Sequence, residues 1–392
     1  ARSLPFVIDP APRRRRGVVP MRTRGTLTMD IIRADNIGSM LRPPTLLAAR
    51  DEFLHGRLDD RSFKAVEDRA VDYCVAVQEL AGIGVLTDGE MRRHVFASQL
   101  AQSVEGFETL AGGSVDWFTM EGKKESSPVT VGLVSRMKRK RHLAAEEFSY
   151  LRARTRRSIK MTLPSPTMYA YYWVPGVSTA AYPTTTAYME DVAAILRDEV
   201  HELVRLGCDY IQFDAPEFGM VLDPHQQEWF RAKGFAPEQM VLDGIDLMNG
   251  IMDGYHDRCR FGLHVCRGND ANRFMARGSY AAIAEPIMVR SKASILLLEY
   301  DDERSGDFSP LARAGEDKVV CLGLITTKRP REETPDEVVG RIHEAAKFLP
   351  LDRLSLSTQC GFASVAKGNN IPFELQERKL ALVARVAQMV WG

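Results

Sequence analysis

The feature that most constrains this chain is its alternation: short runs of β-branched and apolar residues are separated by longer stretches with helical apolar spacing, from Ile31 almost to the C-terminus. That rhythm predicts βαβ units and a parallel sheet, because parallel neighbours need a crossover long enough to hold a helix. Strands are expected near 31–37, 84–87, 158–163, 209–214, 260–266, 294–299, 319–325 and 353–357. Helices are expected near 61–81, 188–206, 237–255, 335–348 and 372–390, with Pro or Asp near their starts. Eight strands with helical returns is the count of an α/β protein of the (β/α)8 TIM-barrel class. An open doubly wound sheet would favour a Gly-rich first turn, and Asn36-Ile37-Gly38-Ser39 is not a dinucleotide fingerprint.

One barrel catalytic domain is therefore expected over residues 30–392, with an insertion after strand 2 at about 102–157. The insertion is longer than an ordinary βα connection and reads as a lid or an oligomer contact at the barrel mouth. Residues 1–29, with Arg13 to Arg16 and no periodic apolar pattern, read as a disordered arm or an upstream extension. Lys+Arg and Asp+Glu both total 52, so no net field draws the chain to nucleic acid or an acidic membrane. No apolar run approaches the roughly 20 residues that span a bilayer. The six cysteines lack the density of a disulfide-stapled secreted domain, and a reducing cytoplasm is expected. Small molecules are the expected partners.

Barrel enzymes carry reactive groups at the C-terminal ends of their strands. There the sequence places His264 and Cys266 after strand 5, Glu299 after strand 6 and Cys360 after strand 8. In a His-x-Cys step on a strand both side chains point the same way, so both donors can reach one ion. Thiolates select zinc over magnesium or calcium, and an imidazole and a carboxylate complete a tetrahedral shell. A cysteine taken alone is more often a buried small hydrophobe, as Cys74, Cys208, Cys259 and Cys321 are expected to be. Two thiolates and a carboxylate make the set anionic, which keeps a sulfur bound there as an electron-rich thiolate nucleophile.

At these residues the sequence resembles the C-terminal catalytic barrel of cobalamin-independent methionine synthase and its single-barrel relatives, from about Ile31 to Val390. The motifs are Ile37-Gly38-Ser39, Asp88-Gly89-Glu90, Ile211-Gln212-Phe213-Asp214-Ala215-Pro216-Glu217, His264-Val265-Cys266, Glu299 and Gln359-Cys360-Gly361. The resemblance implies Zn2+ held by His264, Cys266, Glu299 and Cys360, and methyl transfer to homocysteine or a similar small thiol through a zinc-bound thiolate. It also implies that Glu90 and Asp214, with Glu217 beside them, bind the substrate's amino group, while the backbone of Ile37, Gly38 and Ser39 receives its carboxylate.

Three departures bear on the donor. The match covers one barrel, whereas the full-length synthase has an N-terminal half that helps hold polyglutamyl folate. After strand 7 the chain reads Thr326-Thr327-Lys328 where the family has a histidine, and after strand 3 it has Tyr169 where the synthase presents a tryptophan. These point away from polyglutamyl folate and toward a methyl-corrinoid protein or another alkyl donor, with Lys328 or Tyr169 as candidate proton donor. An alternative within the family is epoxyalkane:coenzyme M transferase chemistry, in which a sulfonated thiol needs a facing cation from Arg92, Arg93, Arg267 or Lys328. A non-catalytic zinc- or thiol-binding protein is the alternative from a different class.

Overall fold

The computed structural model of the chain describes residues 30–110 and 113–392, so the reading of residues 1–29 lies outside the described residues. In chain order the elements begin with helices α1 (Pro44–Leu54), α2 (Asp60–Ala81) and α3 (Ser98–Ser103). Four short strands follow, β1 (Val104–Thr109), β2 (Ser114–Phe118), β3 (Lys124–Pro128) and β4 (Val131–Arg139), then α4 (Ala145–Arg154). Alternation then sets in: β5 (Met161–Pro164), α5 (Thr185–Leu206), β6 (Tyr210–Asp214), α6 (Pro216–Met220), α7 (Pro224–Ala232), α8 (Pro237–Met252) and β7 (Arg260–Val265). The chain finishes with β8 (Ile295–Glu299), β9 (Val319–Ile325), α9 (Pro335–Ala345), β10 (Leu354–Thr358) and α10 (Phe373–Trp391).

Strands β5 to β10 form a parallel sheet in the order β10-β9-β8-β7-β6-β5. Helices cover it, so its strands are buried along nearly their whole length and read as unbroken apolar runs. The helices start and stop where side chains satisfy their ends. Asp59 caps α2 by accepting from Ser62 N, and Gly82 closes it at φ 78, a left-handed conformation natural to glycine. Thr334 and Glu337 form a reciprocal capping box on α9. Among the described residues no helix is long and apolar enough to cross a membrane.

The sheet has six strands rather than the expected eight. Segments 31–37 and 84–87 contribute isolated parallel bridges, Ala34 to Leu356 and Leu86 to Ile159. Two backbone bonds carry each: Asp35 N to Leu356 O at 2.9 Å with Leu356 N to Arg33 O at 3.0 Å, and Leu86 N to Ser158 O at 2.9 Å with Lys160 N to Leu86 O at 2.8 Å; Gly84 N to Ala34 O at 2.9 Å joins the two segments. Side-chain amides take the places that ladder bonds would use. Asn36 Nδ2 donates to Val85 O at 3.0 Å, while Gln78 accepts from Thr87 N at 2.9 Å and donates to Thr87 O at 2.8 Å.

The insertion is an antiparallel pair, β1 with β4, carrying at its tip a second pair, β2 with β3. That β2–β3 hairpin docks on the loop after β7. Phe118 N donates to Phe274 O at 2.7 Å, Phe274 N returns a bond of 2.9 Å, and Trp229 Nε1 donates to Ser114 O at 2.8 Å.

Inside the sheet lies a buried charge. Lys160 Nζ donates to Asp35 Oδ1 and to Gln212 Oε1, each at 2.7 Å, and Tyr210 OH donates to Asp35 Oδ2 at 3.0 Å. Removing one partner of such a pair leaves the other charge buried alone. Lys160→Met is therefore expected to destabilise the protein by about 3–5 kcal/mol in guanidinium unfolding. Adding Asp35→Asn is expected to recover part of that loss; a cost below about 1 kcal/mol for the single change would contradict the assignment.

Candidate functional site: an imidazole and two thiols on a cavity floor

His264 is the fifth residue of β7, and Cys266 follows its last residue, so the two side chains leave the strand on the same side. His264 Nδ1 lies 3.0 Å from Leu297 O. A carbonyl only accepts, so Nδ1 carries the proton and Nε2 presents its lone pair. That Nε2 is buried and has no hydrogen-bond partner. Cys360, two residues past β10, completes the group: the Nε2-bearing imidazole and both sulfurs place donor atoms within 4.8 Å of one another, and all three residues are buried. Hydrogen bonding from Cys266, with His264 and Lys328 nearby, pushes the Cys360 thiol well below the ordinary range, and the same contact pushes Cys266 well above it. One imidazole nitrogen and two sulfurs make a donor set suited to a soft divalent ion such as zinc.

Glu299 does not join that group. Its carboxylate accepts from Arg267 N at 2.9 Å, lies 3.2 Å from Arg304 Nη2 and has Lys328 Nζ at 3.8 Å. Burial pushes its pKa up, but Lys328, Arg304 and Arg267 outweigh that and hold it below the ordinary value. The structure thus brings three of the four expected donors together and engages the fourth with basic partners.

A cavity of about 880 Å³ rises over the cluster, and Ile37, Ser39, Glu90 and Asp214 line it together with His264, Cys266 and Cys360. Gly38 stands behind the lining at φ 148, where an added Cβ would lie 2.9 Å from Thr162 Cγ2. Glu90 holds a left-handed φ of 56, uncommon for a residue with a side chain and found where surroundings over-determine the backbone. Thr162 Oγ1 donates to it at 2.9 Å and Arg93 Nη1 lies 3.3 Å away, yet Oε2 remains buried without a partner. Asp214 is pushed up to about 7, first by burial and then by Glu90, against the opposing pull of His264.

Three other expected residues lie elsewhere. Tyr169 belongs to a 3-10 turn, Pro166–Tyr172; Met168, Tyr171 and Tyr172 line the cavity, whereas Tyr169 is fully buried off that wall, its backbone carbonyl accepting from Tyr188 OH at 3.1 Å. Lys328 is buried beside Glu299 and is not on this cavity's wall. Glu217 is also off the wall: Ser165 Oγ donates to it, Thr167 Oγ1 donates at 2.7 Å, and burial raises it to about 7.

Two positions escaped the sequence reading. Lys160 can only donate, so the Gln212 amide must turn its oxygen to Lys160 and its nitrogen the other way. Gln212 Nε2 then donates to Ile37 O at 2.8 Å and to Asp214 Oδ1 at 2.7 Å, fixing both. A signal existed: Gln212 precedes Asp214 by two residues on β6 and so shares its face, and a lysine in an apolar strand segment needs an acidic partner.

A parallel α/β fold thus gathers an imidazole and two thiols at its strand ends, under a roofed cavity, and marks an α/β protein with a candidate sulfur-rich metal centre. The chain belongs to the family of the catalytic domain of cobalamin-independent synthase, whose model matches residues 32–373. It is similar to the uncharacterized protein YxjH of Bacillus subtilis, 32% identical over 92% of this chain and 94% of that protein. It is also similar to a methionine synthase of Pyrococcus abyssi, 25% identical over 86% of this chain and 87% of that one. In fold it resembles the structure of a vitamin-B12-independent methionine synthase from Listeria monocytogenes, with a TM-score of 0.71, 24% identity and coverage of 93% and 99% of the two chains.

Competition for zinc against a chromophoric chelator tests the cluster. His264→Ala and Cys360→Ser are each expected to lose at least about 100-fold in affinity, while Cys321→Ser, within β9, leaves it unchanged. Wild-type affinity in either of the first two variants would contradict the assignment.

Proposed function

We propose that this protein transfers a methyl or other alkyl group onto the sulfur of a small amino-acid thiol of the homocysteine type. The observation that carries the reading is the buried, partnerless His264 Nε2 with two cysteine sulfurs, set beneath two carboxylates on one cavity wall. When bound by His264, Cys266 and Cys360, with Glu299 as a candidate fourth ligand, a zinc ion supplies the Lewis acidity that lets a thiol ionise near neutral pH.

The chain's own residues do the rest. Glu90 and Asp214 face the cavity as a carboxylate pair, the complement of an ammonium group. Gln212 holds Asp214 as an acceptor through Oδ1. Backbone around Gly38 and Ser39, whose course the left-handed glycine permits, receives the substrate carboxylate. In the transfer the thiol gives up its proton and its sulfur bonds to the alkyl carbon. The bond from that carbon to the donor's heteroatom breaks, its electron pair stays on the heteroatom, and that atom takes up a proton. We read residues 30–392 as one catalytic domain and the bridges at Ala34 and Leu86 as the closure of the sheet into an eight-membered (β/α)8 ring.

A sulfonated thiol of the coenzyme M type is disfavoured by where its expected cations lie. Arg93 pairs with Glu147 at 3.0 Å, Arg92 with Asp68 at 2.6 Å and Lys328 with Glu299 at 3.8 Å. Arg267 donates to Gly278 O and stacks 4.0 Å over Tyr280.

Asp214→Asn separates the roles. Calorimetric titration of the zinc-loaded variant with homocysteine is expected to show at least about tenfold weaker binding, as loss of a charged hydrogen-bond partner gives. Zinc affinity should hold. Equal homocysteine affinity would remove Asp214 from ammonium binding.

A further inference from the structure

The cavity extends well above the cluster, and its upper part is built from the insertion. Phe107 of β1, Val115 and Trp117 of β2 and Val131 of β4 line it, facing Tyr171 and Met275 of the main fold. Val115 and Trp117 are two apart on one strand, so both point to the same side and share the ceiling. The ceiling is anchored: besides the Phe118–Phe274 bridge, Asp116 accepts from His225 Nε2 at 2.8 Å and Arg273 Nη1 lies 3.3 Å from Glu125 Oε2.

Charge in the lining runs against an anion. Among the described residues that line the cavity, the arginines are Arg50 and Arg92, and there is no lysine. Arg50 lies 3.6 Å from Glu67 and donates to Met91 O at 2.9 Å; Arg92 lies 2.6 Å from Asp68 and 3.6 Å from Glu67. Burial first, then Arg50 and Arg42, lower the pKa of the His94 imidazole. Glu108 and Asp270 add carboxylates to the same lining, beyond the Glu90–Asp214 pair assigned to the thiol substrate. Away from the backbone around Ser39 proposed to receive that substrate's carboxylate, a phosphate, sulfonate or carboxylate would be desolvated without a free countercharge, whereas an apolar group gains from burial.

We propose that the space between the insertion hairpin and the cluster is a binding site for an uncharged, predominantly aromatic or aliphatic small molecule that carries the group to be transferred. This deepens the thiol-alkylation reading and rests on it for the word donor, while the binding site itself stands on the lining. At about 880 Å³ the whole cavity is of a size for a small thiol and a second small molecule together. Trp117, with Arg273 5.8 Å over its ring, and Tyr171, whose ring lies 4.8 Å from that of Trp229, contribute aromatic surface to the lining.

The test compares two probes by calorimetric titration of the full chain: 2-methoxynaphthalene, uncharged, and 6-methoxynaphthalene-2-sulfonate, its anionic counterpart. The uncharged probe is expected to bind at least about tenfold more tightly, to lose about tenfold in Trp117→Ala, and to lose less in the milder Trp117→Phe. Val131→Lys, which adds an ammonium to the ceiling, should reverse the preference. Equal or tighter binding of the sulfonate by the unaltered protein would overturn the proposal, as would full affinity for the uncharged probe in Trp117→Ala. Homocysteine binding, measured in parallel, keeps the two readings apart. Its loss with probe binding intact would sink thiol alkylation alone, and intact homocysteine binding without probe selectivity would sink this inference alone.

Discussion

One hydrogen bond governs the chemistry this chain can support: His264 Nδ1 to the carbonyl of Leu297, a residue of the neighbouring strand β8. It settles which nitrogen carries the proton and so turns the other, a lone pair, toward two sulfurs. Without the β7–β8 pairing the imidazole could rotate and the lone pair would have no fixed direction. With it, an imidazole nitrogen and two sulfurs converge in a buried space within 4.8 Å. The sheet thus does more than display donors; its register orients them.

A similar logic runs one strand away. Lys160 and Asp35 neutralise each other inside the sheet, and because Lys160 has only protons to give, the Gln212 amide has a single sensible orientation. That orientation reaches Asp214 and the Ile37 carbonyl, two groups on the thiol side of the cavity. A buried ion pair is weak evidence for stability in general, but it can fix geometry. Glu299 shows the complementary case: Oε2 accepts from Arg267 N, with Arg304 and Lys328 close by, while Oε1 is buried without a hydrogen-bond partner.

Much of this was legible in the chain itself. The two-residue step from His264 to Cys266 and the position of Cys360 after a strand are consequences of strand periodicity, and the structure gathers these three. Asp214 and Glu90 were singled out through the family resemblance, and both line the cavity. What could not be read depended on partners distant in sequence. Strands at 31–37 and 84–87 shrink to bridges because Asn36 and Gln78 side chains supply bonds that apolar pattern does not encode. Tyr169 lies in a 3-10 turn rather than at an extended strand end, and packs in the core instead of on the cavity wall. The insertion was visible only as excess length, and its role as a ceiling comes from Phe118 meeting Phe274, 156 positions further along the chain.

The central claim is that His264, Cys266 and Cys360 hold one zinc ion at which a substrate sulfur is activated. X-ray absorption at the zinc edge of the loaded protein, with and without homocysteine, tests it most directly. The account predicts that homocysteine adds one sulfur to the coordination shell while the His264 nitrogen stays. An unchanged sulfur count with homocysteine bound would contradict it.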